Sequence, residues 1–252
     1  MPTSLTYLLQ IGEHCVLTKQ TWTPVPKLRE GGRAKELLEK VFSDITGPET
    51  VQTSHGELYT LNFIDDYSQK CWVYTSKWKS EASDQFKDWK ELVKRETKET
   101  KRKVQIFHTD NGEEYSLKEF EGYLQHQGIN HQVTAPYTSA QNGKVEHLHR
   151  TLFNRAWAIM SDNRFPGKLW GECVHTIAYL RDPTPTRMLK DKTPYDAYYR
   201  SWPDVSHLHE LGCQAFILIQ SESQPKIYDW SVEGVLVGYL LDSDLGGQQQ
   251  SC

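Results

Sequence analysis

The order in which hydrophobic periodicity changes along the chain limits its fold more than any other feature. Residues 41–76 hold three strand-like segments in succession: one over 41–45, then ELYTLNFIDDY, then CWVYTS. In the second, Leu58, Thr60 and Asn62 alternate with Tyr59, Leu61 and Phe63, the period of a pleated strand. Asp66, Tyr67, Ser68 and Gln69 supply a turn before the third, so the segments read as a meander. A short helix, AKELLEKVF, is expected just ahead of them.

Beyond residue 80 the period lengthens. SEASDQFKDWKELVKRETKET reads as a helix with Phe86, Trp89, Leu92 and Val93 on one stripe. The strand VQIFHT follows, then a helix SLKEFEGYLQHQG with Leu117, Phe120 and Leu124 in phase and Gly128 as its C-cap. INHQV is a short strand, and TAPYTSAQNG carries loop signals throughout. In the long helix KVEHLHRTLFNRAWAIMS, Val145, Leu148, Leu152, Ala156 and Ile159 form the apolar stripe. Further helices are expected over 168–180 and 193–200, and past residue 205 CQAFILI and GVLVGYLL are strand-like. The order β-β-β-α-β-α-β-α is the skeleton of an RNase H-like fold. The predicted class is therefore α/β, a mixed five-stranded sheet flanked by helices, followed by a small β-rich SH3-like segment. The expected division is 1–35 irregular, 36–203 the main domain, and 204–252 the small β-rich segment.

Composition excludes some functions. No apolar run approaches the ~18 residues of a membrane span, and residues 1–15 lack a basic start and a small-residue cleavage site. A soluble, intracellular protein without a membrane partner is expected. Cys15, Cys71, Cys173, Cys213 and Cys252 form no C-x-x-C, which argues against a disulfide framework and a cysteine zinc site. The net charge of −4 is unevenly spread: residues 196–252 carry −6 and the rest +2. Within that rest, KRETKETKRK (94–103) is either a solvated helix end or a phosphate-contacting patch.

Three carboxylates occupy informative places. Asp44 lies in the first strand, Asp110 at the end of the fourth, and Glu146 in the first turn of the long helix, with 35 residues between the last two. In an RNase H-like sheet the first and fourth strands are neighbours, so the three can converge at one edge. Two divalent cations about 3.5–4 Å apart, the arrangement used for phosphodiester transfer, require hard oxygen ligands of this kind. Each residue also has a plainer reading. Asp110-Asn111-Gly112 makes an ordinary strand-ending turn, and Glu146 suits the dipole of a helix start.

VFSDITGPE, YTLNFIDDYSQKCWVY, HTDNGEEY and PYTSAQNGKVEHLHRTL together resemble the integrase core of copia-type retrotransposons, and the similarity runs from about residue 12 to the end of GVLVGY. The resemblance implies a catalytic and metal-binding triad Asp44, Asp110 and Glu146, served by two Mg²⁺ or Mn²⁺ ions. It implies strand transfer of element DNA 3′ ends into target DNA, homo-oligomeric assembly, and the nucleus as site of action, although no targeting signal is evident. Asn111, Gln141, Asn142, Gly143, Lys144 and Arg150 are the candidate nucleic-acid contacts, and RNA is a further possible ligand. Each has a structural alternative: turn former, helix entry or exposed helix base. Asp65 and Asp66 of FIDDYS match family positions near the turn and are expected to be structural.

The chain departs from the family pattern in three places. The upstream His-His-Cys-Cys zinc module is reduced to Cys15, with Gly12 where the other cysteine of its last pair belongs, so residues 1–35 are expected to be a remnant of that module and its linker, without zinc. Glu113 replaces a second glycine, and His147-Leu148-His149 replaces a more basic run beside the glutamate. A fragment of a polyprotein, or a decayed or host-adopted copy, is therefore expected. Two competing functions follow: an inactive remnant that still binds nucleic acid, and a free-standing RNase H-like nuclease, which fits the D-N-G-x-E-Y and Q-N-G-x-x-E pair less well.

Overall fold

The computed structural model describes residues 32–97, 102–110, 112, 115, 118–133, 139–218 and 231–239. The main sheet has the order β3-β2-β1-β4-β5. β1 (Lys40–Thr46), β2 (Tyr59–Asp65) and β3 (Cys71–Ser76) form the antiparallel meander. β4 (Ile106–Thr109) and β5 (Asn130–Val133) extend it in parallel from β1. The helices are α1 (Ala82–Glu96), α2 (Lys118–His126), α3 (Ser139–Asp162), α4 (Trp170–Arg181) and α5 (Pro194–Tyr199). A second, two-stranded sheet pairs β6 (Gln214–Leu218) with β7 (Ser231–Val235). This is the predicted RNase H-like arrangement. No described helix is long and apolar enough to cross a membrane.

Strand alternation divides the core into two layers. Val41, Ile45, Phe63, Trp72 and Phe107 bury one face of the sheet against Phe86, Trp89 and Val93 of α1 and Phe120 and Leu124 of α2. Phe63 stacks on Trp89 at 4.5 Å between ring centroids, and burying a ring of that size stabilises the fold by roughly 1.5–3 kcal/mol. On the other face Phe42, Ile64 and Val73 meet Val145, Leu148, Leu152 and Ala156 of α3 and Cys173, Val174 and Ile177 of α4. Local chemistry ends two helices as expected. Gly128 closes α2 at φ 70°, and Thr193 caps α5 by accepting the Asp196 N–H at 2.9 Å.

Three predicted boundaries are corrected. AKELLEKVF is not helical: its first residues turn, with Leu38 at φ 62°, and the remainder enters β1. The Leu38 N–H is taken by Asp65, and the Leu38 and Glu39 carbonyls accept from Gln105 and Ile106, so sheet pairing removes the partners a helix would need. α3 begins at Ser139, so Gln141, Asn142 and Gly143 lie within the helix and not in a preceding loop, and Glu146 lies beyond its first turn. An internal glycine costs about 1 kcal/mol relative to alanine, less than the burial of Val145, Leu148 and Leu152 returns. The last predicted strand, GVLVGYLL, is displaced: β7 ends at Val235. The following residues dock on α4, where the Tyr239 N–H donates to Thr176 Oγ1 at 3.0 Å and its ring stacks on Tyr179. Gly238 passes so close to Thr176 that a Cβ there would collide with the hydroxyl.

Candidate active site

β1 and β4 run side by side, with Lys40 opposite Ile106, Val41 opposite Phe107 and Phe42 opposite His108. Continued by two residues, that register sets Asp110 level with Asp44. Both belong to the face covered by α3 and α4. Phe42 and His108 meet there edge to face at 5.0 Å, and side chains two residues on return to the same side. Asp44 is nearly buried, at 7% exposure, while Asp110 is half-buried just past the end of β4.

HTDNGEEY is anchored on both sides of its acidic turn. Thr109 Oγ1 donates to the Asp110 carbonyl at 2.9 Å and meets His131 Nε2 at 2.9 Å. The Tyr115 hydroxyl lies 2.8 Å from Ser43 Oγ, beneath β1. Between these anchors the Gly112 N–H donates to Asp110 Oδ1 at 3.2 Å, an Asx-turn that orients the carboxylate. Asn111, Glu113 and Glu114 lie outside the described residues.

α3 carries Glu146 to the same region. Val145 and Leu148 are buried against the sheet, and Glu146 between them is exposed. One turn later, His149 reaches Thr46 Oγ1 at 2.9 Å, two residues beyond Asp44 on the same face of β1. Glu146 therefore lies about 4.5 Å along the helix axis from the residue that ties α3 to the end of β1. Arg150, one turn past Glu146 on the neighbouring surface, is exposed. The side chains of Gln141, Asn142 and Lys144 lie outside the described residues, as do residues 98–101 of the basic run. Among the described residues, no three His, Cys, Asp or Glu side chains are assembled to hold a metal ion.

Burial disfavours the charged form of two histidines at this edge. Burial pushes His149 down to about 4, and burial together with Lys40 and His131 does the same to His108. The FIDDYS aspartates serve the backbone. Asp65 accepts from the Leu38 N–H, the Ser68 N–H and the Ser68 hydroxyl, and Asp66 accepts from the Ala34 N–H at 2.7 Å. Thr46 and Asn62 were not singled out from sequence. The available signal was an asparagine at a strand centre, where that residue is depleted.

Residues 35–139 match the family model described as Integrase core domain. The Retrovirus-related Pol polyprotein from transposon TNT 1-94 of Nicotiana tabacum is 34% identical over 227 residues. The chain carries an integrase core. That match takes in 90% of this chain and 17% of the tobacco polyprotein. The Pol polyprotein from transposon RE1 of Arabidopsis thaliana is 26% identical over 90% of the chain and 15% of its own length. The chain thus spans about one sixth of the length of these relatives. Among solved structures, an integrase of the simian T-cell lymphotropic virus intasome, in complex with the PP2A regulatory subunit B56 gamma, superposes with a TM-score of 0.56 at 16% identity, over 86% of this chain and 73% of that one. The HTLV-2 integrase catalytic core domain in complex with magnesium gives 0.51 at 16% identity, over 66% and 99%. These two likenesses bear out the RNase H-like fold.

Proposed function

We propose that this integrase core belongs to a copia-type retrotransposon integrase that joins the 3′ ends of element DNA to target DNA. The observation that carries the reading is the level placement of Asp44 on β1 and Asp110 just past the end of the adjacent parallel strand β4, with the Glu146 turn of α3 tied to the same end of β1. The donor set fits a hard divalent cation: three carboxylates, one almost buried on a strand, one oriented by its own turn, one exposed on a helix. Asp44, Asp110 and Glu146 would hold Mg²⁺ or Mn²⁺, as two ions, which would activate the attacking hydroxyl and neutralise charge on the leaving oxygen. Asp44 and Asp110 would form the floor of the site, Asp44 held by the pairing of β1 and Asp110 by its turn with Gly112. Glu146 completes it from the helix. Arg150, with Lys144, Asn111, Gln141, Asn142 and Gly143, would hold phosphates or bases near that edge. The two-stranded sheet of β6 and β7 belongs to the SH3-like segment in this reading. Assembly of several copies on DNA and action in the nucleus belong to this reading; the HTLV-2 catalytic core among the structural neighbours is described in dimeric and trimeric forms.

A second reading, an inactive core that binds nucleic acid, is favoured by one observation. His147 and His149 stand beside Glu146, and His149 is committed to Thr46 as a neutral ring, so this turn offers less positive charge to DNA. The deciding experiment incubates the protein with a labelled duplex bearing the element end and a supercoiled plasmid in Mn²⁺ or Mg²⁺. Joined product from the wild type and none from Asp110→Asn plus Glu146→Gln supports the enzyme. Equal product from both overturns the triad. Salt-sensitive DNA binding without product supports the inactive core.

A further inference from the structure

Asn62 stands directly across the β1–β2 ladder from Asp44. Residues opposite one another in an antiparallel pair share a face, with Cβ atoms about 4.5–5.5 Å apart. Asn62 is fully buried, at 0% exposure, and neither its amide nitrogen nor its carbonyl oxygen has a hydrogen-bond partner among the described residues. The next residue of β2 on that face, Thr60, is also fully buried, and its hydroxyl has no partner among the described residues. On the far side Asn62 faces Val73 of β3, which is apolar.

Stability does not explain an asparagine here. An unpaired buried polar group costs about 1–3 kcal/mol, and an apolar side chain of the same shape avoids that cost. Val73, Phe42 and Ile64 show that this face of the sheet otherwise accepts apolar residues readily. Directly across the ladder stands the Asp44 carboxylate. An amide offers two N–H donors, and a carboxylate accepts at about four lone-pair positions, so one oxygen can take an N–H while the other remains for a cation.

We propose that Asn62 is the positioning residue for Asp44: when a divalent cation is held there, the unpartnered amide N–H would donate to one carboxylate oxygen and leave the other to the ion. The inference rests on the reading of Asp44 as a metal ligand. Groups that hold a ligand from behind typically contribute 10–100-fold to metal affinity.

The test measures Mn²⁺ affinity by calorimetry or electron paramagnetic resonance, alongside the melting temperature. Asn62→Leu is expected to melt at or above the wild-type temperature yet to bind Mn²⁺ about 10–100-fold more weakly. Asn62→Thr and Asn62→Val, which differ by a hydroxyl on the same shape, form the second pair, and the threonine variant should bind the ion more tightly. Wild-type affinity in Asn62→Leu, or equal affinity in the threonine and valine variants, overturns the inference. Asp44→Asn separates the two levels of the argument. Its loss of affinity with unchanged Asn62 variants removes the positioning role alone, whereas its unchanged affinity removes the metal site and the inference with it.

Discussion

Thr46 Oγ1 and His149 Nε2 lie 2.9 Å apart, and this contact ties the last residue of β1 to α3 one turn beyond Glu146. The same imidazole stacks on Phe153 at 4.3 Å between centroids, with the planes 12° apart. The ring thus makes both contacts where burial disfavours its charged form.

That state makes stability depend on pH. Burial holds His149 at about 4 in the folded protein, below the ~6.5 of an unfolded chain. A depressed histidine contributes stability that is complete above the unfolded value and is lost as pH falls toward the folded one. The melting temperature should therefore fall between pH 7 and pH 5. His149→Phe keeps the stacking and removes the hydrogen bond. At pH 7 it should cost about 1 kcal/mol, or some 2–4 °C, and it should fall less steeply on acidification. His108, also held at about 4, leaves a residual slope. Parallel pH profiles for wild type and variant would contradict this account.

The FIDDYS pair offers a contrast with Asp44. Asp65 is fully buried, and its oxygens accept from Leu38 N at 3.0 Å, Ser68 N at 2.7 Å and Ser68 Oγ at 2.6 Å. Asp65→Asn would turn an NH₂ toward one of those donors, a loss of about 1–3 kcal/mol. Urea denaturation should show that loss while Mn²⁺ affinity stays at the wild-type value. Asp44→Asn should show the reverse pattern. Weakened Mn²⁺ binding in a folded Asp65→Asn protein would assign Asp65 to the site.

What was legible in sequence followed from local pattern. CWVYTS is a strand to the residue, because its turn residues and alternation agree with its place beside β2. AKELLEKVF was misread because the Leu38 N–H and the Leu38 and Glu39 carbonyls pair with residues more than 25 positions away, which no window can register. The start of α3 was missed because Gly143 reads as a loop residue until the burial of Val145 and Leu148 is known. The candidate site was legible as three carboxylates and a resemblance. The contacts that organise its edge, Thr46 with His149 and Asn62 opposite Asp44, depend on strand register and helix docking, which pattern alone does not specify.

Lys70 and Asp182 give the last prediction. Their charged groups are 2.7 Å apart, with side chains only 3% and 5% exposed, and they join the β2–β3 turn to the end of α4. Burial by itself would push the Lys70 ammonium down, but Asp182, Tyr199 and Glu96 outweigh it and hold the group above the ordinary lysine value. The rings of Trp72, Tyr198 and Tyr199 surround the ammonium at 5.0–5.3 Å, and both tyrosine hydroxyls donate to Glu96 at 2.8 Å. Removing one partner strands a buried charge, so Lys70→Met should cost about 3–5 kcal/mol. At about 2–4 °C per kcal/mol, the melting temperature should fall by roughly 6–20 °C. Replacing both, Lys70→Met with Asp182→Leu, should recover most of that loss, since no charge remains to be solvated. A double variant as unstable as the single one would mean that the ion pair, and not merely the absence of a stranded charge, holds α4 to the meander.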